Sequence, residues 1–134
     1  MNKRRNIMVV DDDLEMLRLV ERTLELEGHD VIVAADGASA LMLFRDREPD
    51  LVILDIMMPG PDGFQVLDSI RQCSDVPVVM LTAKCGVDSL DKALALGADD
   101  YVRKPFRPLE LMARVQAKLR RAEVTVGQQS SVVS

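Results

Sequence analysis

The chain has 134 residues, 48% of them hydrophobic and 29% charged, with a net charge of −5 and a pI near 4.9. That length fits one domain, and that composition excludes a disordered chain. The acidic balance argues against a nucleic-acid-binding surface, which is normally basic. No apolar run approaches the roughly 20 residues needed to span a bilayer.

The N-terminus, Met1-Asn2-Lys3-Arg4-Arg5, is basic but lacks the apolar region and small-residue cleavage site of a signal peptide, which points to the cytoplasm. Ile7 to Val10 is an apolar run ending in Asp11-Asp12-Asp13. Asp13 suits the N-cap of a helix through Glu27, with Leu14, Leu17, Leu24 and the Val20–Thr23 region at helical spacing and Gly28 as the stop. Val31 to Ala34 reads as a strand. Gly37 to Arg47 reads as a helix with Ala40, Leu41 and Phe44 inward. The sole histidine, His29, falls in a turn that strand polarity puts at the opposite edge from Asp11, and reads as structural or surface.

The third apolar run, Leu51-Val52-Ile53-Leu54, meets Asp55 and is then broken by Pro59, Gly60, Pro61 and Gly63. An unbroken run closed by turn signals predicts a strand buried on both faces. Asp55 then stands at the carboxyl end of a central strand, where open parallel sheets bind ligands. A helix from Gly63 to Gln72 follows, with Val66, Leu67 and Ile70 on one side. Next come a strand over Pro77 to Leu81 ending at Thr82-Ala83-Lys84, a helix from Asp88 to Leu96 stopped by Gly97, and a strand at Asp100-Tyr101-Val102 before Lys104-Pro105. The last helix spans Pro108 to Arg121, with Leu111, Met112, Val115 and Leu119 inward. Residues 1–122 form the expected domain. Glu123 to Ser134 is small and polar and reads as a linker or frayed tail. Cys73 and Cys85, with no further cysteine to support a metal site, read as reduced thiols.

Five strands alternating with five helices predict an α/β fold, a parallel sheet covered on both faces with right-handed crossovers. Parallel strands would bring Asp11, Asp12, Asp55, Thr82 and Lys104 to one sheet edge. Grouped carboxylates suit a hard cation such as Mg²⁺, while a hydroxyl and an ammonium suit phosphoryl oxygens. Together they are a kit for phosphoryl transfer, with an Asp able to act as nucleophile. Singly, each has a plainer role as a turn, cap or solvated residue. Their joint placement at one edge favours the shared role.

These residues fall in motifs: Val9-Val10-Asp11-Asp12, Leu54-Asp55-Ile56-Met57-Met58-Pro59-Gly60, Leu81-Thr82-Ala83, Gly97-Ala98-Asp99-Asp100-Tyr101 and Lys104-Pro105-Phe106. In this order they resemble the receiver domain of bacterial two-component response regulators over residues 6–121. The resemblance implies a flavodoxin-like (CheY-like) three-layer sandwich with a five-stranded sheet of order 2-1-3-4-5. It implies that Asp55 accepts a phosphoryl group from the phosphohistidine of a sensor histidine kinase, so that the protein is a switch rather than an enzyme. Asp12, Asp55 and the backbone carbonyl of Met57 would hold Mg²⁺, with Asp11 acting mainly through a metal-bound water. Lys104, in cis linkage to Pro105, would pair with the phosphoryl oxygens, joined by the Thr82 hydroxyl and the Ala83 amide. Tyr101 would turn inward as Thr82 moves, and Met57 and Lys84 would tune hydrolysis.

The last helix is similar to that of the OmpR/PhoB winged-helix subfamily of transcription factors. The resemblance implies a homodimer through the fourth helix, fifth strand and fifth helix, with Asp100–Arg114 and Asp99–Arg121 as cross-dimer pairs and Glu110 facing a base on the fourth helix. Here Leu90 takes that basic position and Asp91 an apolar one, two departures from the pattern. DNA contact would come only through an output domain beyond this chain; the alternative is a stand-alone receiver. A haloacid-dehalogenase-type hydrolase would want an Asp where Met57 stands. A flavodoxin-type cofactor binder would want a phosphate loop where Asp11-Asp12-Asp13 would repel phosphate. A receiver that no longer takes phosphate is at odds with the complete acidic set, Thr82 and Lys104.

Overall fold

The computed structural model describes residues 4–83 and 87–133, with side chains apart from those of residues 87–88 and 123–133. In chain order the elements are β1 (Asn6–Val10), α1 (Leu14–Leu26), β2 (Asp30–Ala34), α2 (Gly37–Arg47), β3 (Leu51–Asp55), α3 (Gly63–Arg71), β4 (Val78–Thr82), α4 (Val87–Ala95), β5 (Asp100–Arg103) and α5 (Pro108–Val133). The strands form one parallel sheet of order β2-β1-β3-β4-β5, so the predicted alternation and strand order are both found.

Alternation along the three inner strands builds two cores. Met8, Val10, Val52, Leu54, Val78 and Met80 face the layer of α2, α3 and α4, meeting Phe44, Val66, Leu67, Ile70 and Ala93. Ile7, Val9, Leu51, Ile53, Val79 and Leu81 face α1 and α5, meeting Leu17, Val20, Leu24, Leu111, Met112, Val115 and Leu119. Every residue of β3 and β4 is buried, which is why these segments read as continuous apolar runs instead of alternating ones.

The caps follow the sequence. Asp13 accepts from the amides of Glu15 and Met16, Asp36 caps α2 through the Ser39 amide, and Asp62 forms a capping box with Gln65. Gly28 and Gly97 close α1 and α4 with φ of 91° and 102°, a conformation that a side chain disfavours.

Two expectations are corrected. Leu14, counted in the apolar helical spacing of α1 with Leu17 and Leu24, is exposed, unlike those two. It opens the helix directly after Asp13, at the rim, ahead of the turn where Leu17 meets the sheet. The last helix does not stop at Arg121 but runs through to Val133. The stretch beyond Arg121 has no proline, and Ala122 and Glu123 favour helix, so its polar composition alone did not end the element. Lys84 and Cys85 lie outside the described residues.

Candidate functional site

The parallel sheet delivers the ends of β1, β3, β4 and β5 to one rim. Asp11 follows Val10 and is 0% exposed, Asp55 ends β3 at 3%, and Thr82 ends β4, also fully buried. Asp12, beside Asp11, is exposed. Asp11, Asp12 and Asp55 each bring a carboxylate oxygen within 4.8 Å of the others. Lys104 follows β5, and its backbone amide donates to Thr82 O at 2.8 Å, extending the β4–β5 ladder by one rung.

Lys104 Nζ donates to Asp11 Oδ2 at 2.8 Å and lies 3.5 Å from Asp55 Oδ1. Asp11 Oδ1 accepts from the Asp13 amide at 3.0 Å, so both its oxygens are engaged and its orientation is set. The Met57 backbone amide hydrogen-bonds to Asp55. Burial, and then the charge of Asp11, push the Asp55 carboxyl up to about 6, against the opposing pull of Lys104 and the Met57 amide. Burial draws the Lys104 ammonium down, but the Asp11 hydrogen bond and the charges of Asp55 and Asp11 outweigh it, and its pKa lies above the usual lysine value. Among the described residues, this ammonium faces two of the three close carboxylates, and the site carries an excess of negative charge.

Such a cluster of hard oxygen donors, partly open through Asp12, fits a divalent cation such as Mg²⁺. The backbone closes in beneath it. Gly63 donates its amide to Ile56 O at 2.9 Å, and a Cβ at Gly63 would lie 2.3 Å from Asp55 O and 2.6 Å from Ile56 Cα. That glycine is required for the chain to fold back under Asp55, a role that sequence reasoning missed. The Met57 side chain is half exposed at the rim.

Tyr101, on β5, pairs with Met80 of β4 and is half-buried against the core on the α2–α4 side. The Lys104–Pro105 bond is cis. Asp100 and Arg114, expected as partners across a dimer, are bonded within the chain, with Arg114 Nη1 at 3.0 and 3.1 Å from the Asp100 oxygens. Asp99 is held by Arg71, Nη2 to Oδ2 at 2.8 Å, a partner 28 positions away that nothing local signals. Glu110 and Arg121 are exposed, as is Asp91, while Leu90 is half-buried. His29 lies buried at the opposite rim.

The family model for the response regulator receiver domain matches residues 7–116. The DNA-binding response regulator MtrA of Mycolicibacterium smegmatis is 51% identical over 122 residues, covering 90% of this chain and 53% of that protein. The probable transcriptional regulator ycf27 of Porphyridium aerugineum is 47% identical over 121 residues, covering 90% of this chain and 50% of its own length. The chain therefore spans about half the length of these curated relatives. Among solved structures, the receiver domain of the Francisella response regulator 1452 superposes with a TM-score of 0.84 at 34% identity, covering 88% of this chain and 98% of that one. A CheY-like receiver domain protein from Methanospirillum hungatei gives a TM-score of 0.87 at 27% identity, covering 92% and 99%. Among the described residues, no helix is long and apolar enough to cross a membrane.

Proposed function

The chain belongs to the response regulator receiver domain family, and on that premise we propose that Asp55 accepts a phosphoryl group from the phosphohistidine of a sensor kinase. The observation that carries this reading is the convergence of three carboxylates within 4.8 Å at the rim, one of them buried at the end of the central strand, with the Lys104 ammonium against two of them.

An Asp55 oxygen attacks phosphorus, the phosphorus–nitrogen bond to the donor histidine breaks, and the imidazole leaves with the bond's electron pair. Asp55 must be ionised to attack. Asp12, Asp55 and the Met57 carbonyl would hold Mg²⁺, with Asp11 behind them through a water. The bound ion supplies positive charge that favours the ionised nucleophile and screens the incoming phosphoryl oxygens. Lys104 shifts its bond from Asp11 toward a phosphoryl oxygen. The Thr82 hydroxyl and Ala83 amide donate to the others.

Phosphorylation adds about one to two negative charges to a rim already rich in them. Drawing Thr82 toward those charges opens room for the Tyr101 ring, and the α4–β5–α5 face changes with it. That face is the proposed homodimer surface, with Asp99, Asp100, Glu110, Arg114 and Arg121. Asp100 and Arg114 would have to exchange their partner within the chain for one across the interface, while Asp99, whose Oδ2 is held by Arg71 and the Val78 amide, would reach Arg121 through its other oxygen. A C-terminal DNA-binding domain, as the names of the relatives suggest for those proteins, is the proposed output. Residues 1–122 would be the receiver and 123–134 the start of the connection. Bulky Met57 at the mouth disfavours an ordered attacking water, so we place the phosphorylated lifetime above that of fast chemotaxis-type receivers.

The test is incubation with acetyl phosphate and Mg²⁺, wild type against Asp55→Asn, followed by intact mass and gel filtration. A phosphoryl mass gain in the wild type alone supports the acceptor. An equal gain in both variants moves it elsewhere, and no change in elution on phosphorylation counts against the dimer.

A further inference from the structure

Arg71 ends α3 on the rim opposite the acidic cluster. Its side chain is 17% exposed and its guanidinium is spent on four acceptors. Nε donates to Gly97 O at 2.9 Å, Nη1 to Ser74 O at 3.2 Å and Val76 O at 2.7 Å, and Nη2 to Asp99 Oδ2 at 2.8 Å. One planar fork thus ties the loop before β4 to the turn before β5. Asp99 completes the tie, because its Oδ2 also accepts from the Val78 amide at 2.8 Å and its own amide donates to Val78 O at 2.9 Å. At Gly97 a Cβ would lie 3.0 Å from Arg71 Nε, so the turn is fitted closely around the guanidinium.

The strand that begins at this tie is the least supported of the sheet. β5 has four residues and one neighbour, β4. A slip of one residue would send Tyr101 and Val102 to the wrong faces and displace the chain beyond the strand by about 3.3 Å. Lys104 comes directly after β5; its amide makes the last rung on Thr82 O, and its ammonium must reach Asp11 and Asp55. Register fixed at Asp99 is therefore delivered, rung by rung, to the acceptor site.

We propose that Arg71 is a positioning residue for phosphoryl acceptance. By locking Asp99 to the start of β4, it sets the register of β5, and with it the places of Tyr101 and Lys104. The inference rests on the reading of Asp55 as acceptor. A lysine at this position keeps the charge but not the fork that reaches three carbonyls and a carboxylate at once.

The test compares the full chain with Arg71→Gln, Arg71→Lys and the milder Asp99→Asn, at a temperature where circular dichroism shows each folded. Two quantities are read: the rate of phosphoryl uptake from acetyl phosphate with Mg²⁺, and amide hydrogen exchange at β5 and Lys104 against that at β1. Misplacing a catalytic group by about an ångström can cost up to about a hundredfold, so uptake in Arg71→Gln should slow by roughly tenfold to a hundredfold. Exchange should rise at β5 and Lys104 and stay unchanged at β1, with Asp99→Asn intermediate and Arg71→Lys recovering only part of the rate. Uptake at the wild-type rate in a folded Arg71→Gln would overturn the proposal. So would full recovery by lysine, or exchange rising equally in β1 and β5, which would make Arg71 a general stabiliser. Failure of the wild type to take up phosphoryl groups would instead sink the acceptor reading, and the exchange pattern would still decide whether Arg71 sets β5.

Discussion

The ammonium of Lys104 lies 2.8 Å from Oδ2 of Asp11, a residue 93 positions earlier in the chain. The contact exists because β1 and β5 end at the same rim, and it makes Lys104 the cation among the described residues that offsets the acidic cluster before any divalent ion arrives. Replacing Lys104 with Met leaves two buried carboxylates facing each other. We expect a loss of about 3 kcal/mol at neutral pH without divalent ions, in the range seen when one partner of a buried pair is removed. Urea unfolding of Lys104→Met with and without Mg²⁺ checks this. Added Mg²⁺ should restore more stability to the variant than to the wild type.

Asp55 is held up at about 6, so the folded chain takes up a proton well above the pH at which an unfolded carboxylate does. Without divalent ions, stability is penalised by this group above pH 6 and recovers as pH falls from 6 toward 4. Asp55→Asn removes the penalty. At pH 7.5 it should be more stable than the wild type by about 1–2 kcal/mol, an advantage that shrinks toward pH 4. Because the metal competes with that proton, Mg²⁺ affinity measured by calorimetry should weaken as pH drops below 6. A pH-independent affinity would contradict the assignment.

His29 titrates in the opposite sense. Burial, helped by the nearby Arg5 charge and opposed by Glu27 and Asp30, holds its pKa below the usual 6.5. The neutral form is favoured in the fold, so its contribution is present above pH 6.5 and is lost as pH falls below that value. Its slope overlaps that of Asp55 with the reverse sign, and only variants separate them. His29→Gln should flatten the acid loss relative to wild type between pH 7 and 5 in thermal melts, while Asp55→Asn should steepen it.

Gly63→Ala places a methyl carbon 2.3 Å from Asp55 O, a backbone atom with no easy way to yield. We expect about 2 kcal/mol or more of destabilisation, at the upper end of overpacking costs. Phosphoryl uptake should fall as well, because relief of the clash must move the acceptor. Urea midpoints and uptake rates of the same preparation check both.

The strands were legible because their burial is two-sided. Leu51 to Leu54 and Val78 to Leu81 are apolar without interruption, and Asp55 and Thr82 stand out as the polar residues that end them. Strand polarity alone then placed Asp11, Asp55, Thr82 and Lys104 together. Contacts without periodicity were not legible. Arg71 and Asp99 are 28 positions apart and meet only because α3 and α4 end at the same rim. The fit of Gly63 under Asp55 depends on backbone proximity that a loop-forming glycine does not announce. The end of α5 was misplaced because polar composition was taken for a break that Ala122 and Glu123 do not make.

The sheet has two open margins, β2 and β5, and each opens with a carboxylate held by an arginine: Asp30 by Arg4 and Asp100 by Arg114. Charged, tethered residues at an edge are poor templates for the backbone of another molecule. Concentrated solutions of this protein should therefore resist fibril growth, and its copies should meet through helices and not by lengthening the sheet.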